Sequence, residues 1–237
     1  MDVHGLDVVY FVKDGVQNEE LRYSLRSVCK NLIGFKRVWI FGGHPANIEA
    51  DIQVKVNQEG NTKWDKVRSM FEMACLNKEL TDDFILFNDD FFIMQPTDKI
   101  EPLYRSSLAD HIKVIEDACW HKPSDYTRQL RRMNEHLESM GLRTLSYELH
   151  IPFIFNKKQL LYLINKYPDM RCTRTFYGNF YNVGGKQHRD VKIFSDKPSF
   201  DYKTSRFLST DDPVVNVNNN AWRYIRNQFP KKCEYEK

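Results

Sequence analysis

The chain has 237 residues, 41% hydrophobic and 28% charged, and its 35 basic and 32 acidic side chains leave a formal net charge of +3. That length buries a sizeable core without disulfide or metal staples, and the charge balance argues against a protein built for non-specific nucleic-acid binding. The five cysteines (Cys29, Cys75, Cys119, Cys172 and Cys233) are odd in number, scattered and form no CxxC pair, which argues against a zinc ribbon or disulfide scaffold and for a reducing, cytoplasmic setting.

The amino terminus has no basic segment followed by an apolar run, so it does not read as a signal peptide. No stretch approaches the about 20 apolar residues of a membrane span, so no integral membrane association is expected. Leu6–Val12 is β-branched and aromatic and reads as a buried strand, stopped at Lys13-Asp14-Gly15. Glu19–Leu32 reads as a helix: Leu21, Leu25, Val28 and Leu32 make one apolar stripe, and Glu19 and Glu20 suit the first turn. Arg37–Phe41 and Ile52–Val56 read as strands, Thr62–Leu80 as a second helix, and Phe84–Phe87 as a strongly apolar strand that delivers Asn88-Asp89-Asp90. This strand–helix–strand opening belongs to a parallel, nucleotide-binding type of sheet. Further on, Lys122–Met140 reads as a charged, exposed helix, His150–Phe155 as a short apolar stretch, Lys157–Tyr167 as an amphipathic helix ended by Pro168, and Ala221–Phe229 as a last helix. Met170–Pro213 reads as irregular. One domain over residues 1–237 is expected, with a helical insertion at about 100–145.

The strongest local signal is Asn88-Asp89-Asp90 behind its apolar strand. Ligands of open α/β sheets bind outside the carboxyl ends of the strands, and two adjacent carboxylates there are costly unless something neutralises them. Mg²⁺ or Mn²⁺ held between them and a diphosphate would do so; an Asx-capped turn is the plain structural alternative. Asp14 and Gly15 end the first strand at the same edge, as a substrate contact or an ordinary turn. Arg22 and Arg26 lie one helical turn apart and suit either a pyrophosphate clamp or a solvated face. His150, before an Ile-Pro pair, is a candidate general base or a structural histidine. Arg171 and Arg174, and Asp211 and Asp212 after Ser209-Thr210, are polar clusters on expected loops. The sequence carries no Walker or Rossmann glycine loop, no HExxH and no GxSxG.

Taken together and in order, Leu6–Gly15 (LDVVYFVKDG), Glu20–Lys30 (ELRYSLRSVCK), Phe84–Ile93 (FILFNDDFFI), His150–Pro168 and Phe207–Asp212 (FLSTDD) resemble the conserved regions of the Stealth family. That family includes capsular-polysaccharide phosphotransferases and the lysosomal-enzyme N-acetylglucosamine-1-phosphotransferase. The first region departs from the family pattern, with Phe11-Val12-Lys13-Asp14-Gly15-Val16 in place of a Trp and an Asp-Gly-Ser type sequence. The resemblance implies an α/β, GT-A-like nucleotide-sugar-binding domain with a mixed central sheet flanked by helices. It also implies transfer of sugar-1-phosphate from a nucleotide-sugar donor to an acceptor hydroxyl. Asp89 and Asp90 match the family's acidic pair, His150 its candidate base, Arg171 or Arg174 the arginine that follows, and Asp211 and Asp212 its last acidic pair. The competing expectation is a glycosyltransferase on the same fold that moves the sugar alone. A non-catalytic binding protein is a third. The acceptor is a glycan or another hydroxyl-bearing molecule, and nucleic acid enters only as an acceptor.

Overall fold

The computed structural model describes residues 1–15, 17–57, 62–118, 124–195, 198–215 and 218–237. In chain order the first half holds β1 (Asp7–Val12), α1 (Glu19–Asn31), β2 (Val38–Gly42), β3 (Ile52–Val54), α2 (Lys63–Leu76), β4 (Asp83–Phe87) and β5 (Phe91–Ile93). Then come β6 (Leu103–Tyr104), α3 (Leu108–Ala118), α4 (Asp125–Ser139), β7 (Phe153–Asn156), α5 (Lys157–Lys166) and α6 (Thr173–Phe180). The chain closes with β8 (Lys186–Gln187), β9 (Lys192–Ile193), β10 (Phe207–Thr210), a 3₁₀ turn at Asp212–Val214 and α7 (Asn220–Gln228).

Two compact units result. The first comprises Met1–Ile100, His150–Leu161 and Val191–Lys237. Its main sheet has the order β3-β2-β1-β4-β7. The first four strands are parallel and β7 runs antiparallel to β4. This is the mixed central sheet, flanked by helices, that the sequence led us to expect. β1 and β4 are central, and their apolar runs are almost wholly buried, as a strand covered on both faces requires. The pairing Tyr10↔Phe87 brings the carboxyl ends of β1 and β4 to one edge. Phe71 of α2 packs edge-on against Phe11 and Phe155, with ring centroids 4.7 and 5.6 Å away. A smaller sheet, β5-β10-β9, continues from the main one, with β10 antiparallel to β5 and parallel to β9.

α1 seats on β5 through hydroxyls. Ser24 Oγ donates to the Phe91 carbonyl, Ile93 N–H donates to Ser27 Oγ at 3.0 Å, and Asn31 Nδ2 donates to Ile93 O at 2.6 Å. These bonds satisfy β5 backbone groups that would otherwise be buried unpaired. α2 stops four residues earlier than its apolar pattern suggests, because Asn77 Oδ1 accepts from Glu79 N–H at 2.9 Å and turns the chain out of the helix. The segment read as irregular contains α6, β8, β9 and β10. The three strands are two to four residues long and are fixed by their partners, with no period of their own to announce them.

The second unit comprises Glu101–Leu149 and Tyr162–Asp190. It holds α3, α4 and α6 and the β6–β8 pair. α4 starts at Asp125, capped by Ser124 Oγ on Thr127 N–H at 3.1 Å; the first two residues of the expected helix, Lys122 and Pro123, lie outside the described residues. Among the described residues no helix is long and apolar enough to cross a membrane.

Candidate functional site

β4 ends at Phe87, and the next three residues turn: Phe91 N–H donates to Asn88 O at 3.2 Å. Asn88 is exposed, Asp89 half-buried and Asp90 only 8% exposed. Each of the two carboxylates is gripped on one oxygen. Asn18 Nδ2 donates to Asp89 Oδ2 at 2.6 Å, while Asn18 Oδ1 accepts from Leu21 N–H at 2.9 Å and caps α1. One asparagine thus starts the helix and orients the aspartate. Ser209 Oγ donates to Asp90 Oδ2 at 2.6 Å, and Lys192 Nζ approaches the same oxygen at 3.4 Å.

β10 supplies the rest of this edge. Thr210 N–H donates to the Asp90 carbonyl at 3.3 Å, and Thr210 Oγ1 donates to Glu20 Oε1 at 2.7 Å. Lys192 on β9 also pairs with Asp211 Oδ1 at 3.4 Å. Lys192 thus bridges Asp90 and Asp211, while Glu20 and Asp89 both feel the charges of Asp90 and Asp212. The electrostatics follow. Burial, reinforced by the Asp90 and Asp212 charges and opposed by the Asn18 hydrogen bond, holds the Asp89 carboxyl above the usual carboxylate range. Burial together with Asp89, Asp90 and Asp212 pushes Glu20 up to about 7, against the Thr210 hydrogen bond. Burial works against the charged form of Lys192, yet Asp90 and Asp211 outweigh it and the net move is upward.

The other expected residues have separate settings. Asp14 and Gly15 are exposed at the end of β1. A Cβ at Gly15 would meet nothing within 4 Å, whereas at Gly43 it would lie 2.3 Å from Lys13 O, so Gly43 is the glycine that this edge requires. Arg22 Nη2 pairs with Glu19 at 2.7 Å, and its buried Nε, with no hydrogen-bond partner among the described residues, lies 3.9 Å from Glu236 Oε2. Arg26 is 7% exposed and spends its guanidinium on Glu236, at 2.5 and 2.6 Å, and on the Phe229 carbonyl at 2.9 Å. His150 is half-buried, its ring edge-on to Phe91 at 6.3 Å. Arg171 and Arg174 belong to the second unit. Arg174 is buried and its Nη1 donates to Leu149 O at 2.7 Å, from the first turn of α6.

Sequence reasoning missed Asn18, Glu20 and Lys192 as members of this edge. Glu20 reads as a first-turn helix acid, and nothing local ties it to Thr210. The hydroxyl pair Ser209-Thr210 was the available signal, because two hydroxyls before an acidic pair suit carboxylate partners elsewhere.

Mg²⁺ or Mn²⁺ is the ion this donor set has to fit. Among the described residues no three His, Cys, Asp or Glu side chains converge into a protein cage for a metal ion. The chemistry does fit a hard cation that takes one or two carboxylates and completes its shell with phosphate and water. Asp89 and Asp90 each have one oxygen held by a protein donor, in a neighbourhood with surplus negative charge.

No family model matches the sequence, and no curated protein matches it. Among solved structures, the galactosyltransferase LgtC in complex with donor and acceptor sugar analogues is similar in trace, with TM-score 0.49 and 11% identity over 97% of this chain and 98% of that chain. An active-site mutant of LgtC gives TM-score 0.48 and 10% identity over the same shares. The glycosyltransferase GlyE of Streptococcus pneumoniae TIGR4 gives 0.34 and 8%, over 78% of this chain and 45% of that one. All three scores fall below one half; the chain's own residues form an acidic edge at the carboxyl ends of β1 and β4, completed by β9, β10 and the start of α1.

Proposed function

We propose that the protein is a GT-A-like transferase that uses a nucleotide-activated sugar and moves sugar-1-phosphate to an acceptor hydroxyl, releasing a nucleoside monophosphate. The observation that carries this reading is the gathering of Glu20, Asp89, Asp90 and Asp212 at the sheet edge where α/β folds bind ligands. The resemblance of FILFNDDFFI, the ELRYSLRS helix and the FLSTDD segment to the Stealth family supports it.

Asp89 and Asp90 would hold Mg²⁺ or Mn²⁺, which would supply Lewis-acid neutralisation of diphosphate charge. Asn18 fixes Asp89, and Ser209 with Lys192 fixes Asp90, so the carboxylates are oriented before the donor arrives. Asp14, Gly15 and Asn88 border the donor, and Asp211 and Asp212 border its sugar. Arg22 offsets phosphate charge. Arg26 supports the site indirectly through the helix that carries Asn18 and Glu20. His150 takes the proton of the acceptor hydroxyl. The acceptor is a capsular- or wall-type glycan, and the setting is cytoplasmic.

The test is the nucleotide released when the protein is incubated with a panel of nucleotide sugars, Mn²⁺ or Mg²⁺ and a glycan acceptor extract. A nucleoside monophosphate supports the proposal. A nucleoside diphosphate means attack at the anomeric carbon and a sugar-only glycosyltransferase.

A further inference from the structure

The carboxyl-terminal tail is tied down along one face of α1. Arg26 holds Glu236 and the Phe229 carbonyl, and one turn on Lys30 Nζ donates to Gln228 O at 2.9 Å. Glu236 is itself bound to Cys233: Cys233 N–H donates to Glu236 Oε1 at 3.0 Å, and Glu236 N–H donates to Cys233 O at 3.2 Å. The far side of the tail is fixed too. Tyr235 OH donates to Asp51 Oδ2 at 2.9 Å, Glu49 N–H to Tyr235 O at 2.9 Å, and Lys237 N–H to Asn47 O at 3.1 Å. Cys29 follows Arg26 by three residues and so shares its face of α1. Cys29 from the helix and Cys233 from the tail thus flank the Arg26–Glu236 bridge, and each is the first influence on the other's titration. Both are free and half-buried, whereas Cys75 and Cys172 are buried.

We propose that Cys29 and Cys233 form a redox-active thiol pair, a modification site that takes a small peroxide as oxidant and closes to an intramolecular disulfide between α1 and the tail. The pair has a built-in division of labour. Cys29 and the Tyr235 backbone lower the Cys233 pKa, against burial and Glu236, while Cys233, with burial, raises that of Cys29. Cys233 is therefore the attacking thiolate and Cys29 the resolving thiol. In the first step the Cys233 sulfur forms an S–O bond, the peroxide O–O bond breaks and hydroxide leaves; sulfur is oxidised to sulfenic acid as peroxide is reduced. In the second, the Cys29 sulfur displaces the hydroxyl: the S–S bond forms, the S–O bond breaks, and the Cys29 proton leaves with the hydroxyl as water. Two thiols and one hydrogen peroxide give one disulfide and two waters.

The test treats the whole chain with hydrogen peroxide, blocks residual thiols under denaturing conditions and maps the peptides by mass spectrometry. The expected result is a peptide joining Cys29 to Cys233, reversed by dithiothreitol, with a Tm about 5 °C or more above that of the reduced protein. Cys29→Ser is expected to leave a sulfenic acid on Cys233 that dimedone traps, and Cys233→Ser to leave Cys29 unoxidised at the same dose. Full alkylation of both residues after peroxide would overturn the proposal. So would first oxidation at Cys75 or Cys172, or a dimedone adduct on Cys29 in Cys233→Ser.

Discussion

Glu20→Gln is the substitution that most clearly separates the electrostatics of the acidic edge from its packing. The fold moves the Glu20 pKa from 4.5 to about 7, chiefly by burial and then through Asp89, Asp90 and Asp212. At 1.36 kcal/mol per pKa unit this corresponds to about 3 kcal/mol between the protonated and ionised forms. The sign follows from linkage: the folded state holds the proton more tightly than the unfolded chain, so the contribution is fully present below pH 4.5 and is lost as pH rises through about 7. Gln has no proton to lose, and its amide oxygen still accepts from Thr210 Oγ1. The two proteins should therefore melt together near pH 4.5 and part above pH 7, with Glu20→Gln the more stable. For a chain of this size about 3 kcal/mol is about 6–12 °C in Tm. Thermal unfolding followed by circular dichroism from pH 4.5 to pH 8.5, in chelator, reads this directly. A Tm difference that is constant across that range, or a wild-type protein that stays the more stable at pH 8, would refute the reasoning.

Replacing His150 with Ala should slow turnover about 10²–10⁴-fold if it is the base; a loss under tenfold in a steady-state assay would leave it a structural neighbour of Phe91. Arg26→Ala should lower Tm rather than raise KM, because Glu236, whose side chain is 2% exposed, would lose its hydrogen-bonded partner and keep only Arg22 at 3.9 Å, at a cost of up to about 3 kcal/mol. A raised KM with an unmoved Tm would instead make Arg26 a substrate clamp.

The parts of this fold legible in the sequence are those whose burial is set locally. β1 and β4 are apolar runs long enough to be read, and α1 carries a stripe that one face of a helix must bury. β4 also announces the centre of the site, because an acidic pair after such a strand needs an explanation. β10 is different. Its four residues are buried because β5 and β9 flank them, and the pairing with β5 joins positions more than a hundred residues apart. The same separation hides Glu20 from Thr210 and Arg26 from Glu236. Arg22 and Arg26 look alike in sequence, one turn apart on α1. Only the tail distinguishes them, by covering Arg26 and leaving Arg22 about a quarter exposed, at 27%.

The central claim is that Asp89 and Asp90 bind a nucleotide sugar through a divalent cation. Isothermal calorimetry with a nucleotide-sugar panel, with and without Mn²⁺, on the wild type and on Asp89→Asn tests it most directly. Binding that requires Mn²⁺ in the wild type and vanishes in Asp89→Asn, at an undiminished Tm, is the predicted result. Equal affinity in the two proteins, or affinity indifferent to Mn²⁺, would contradict the account.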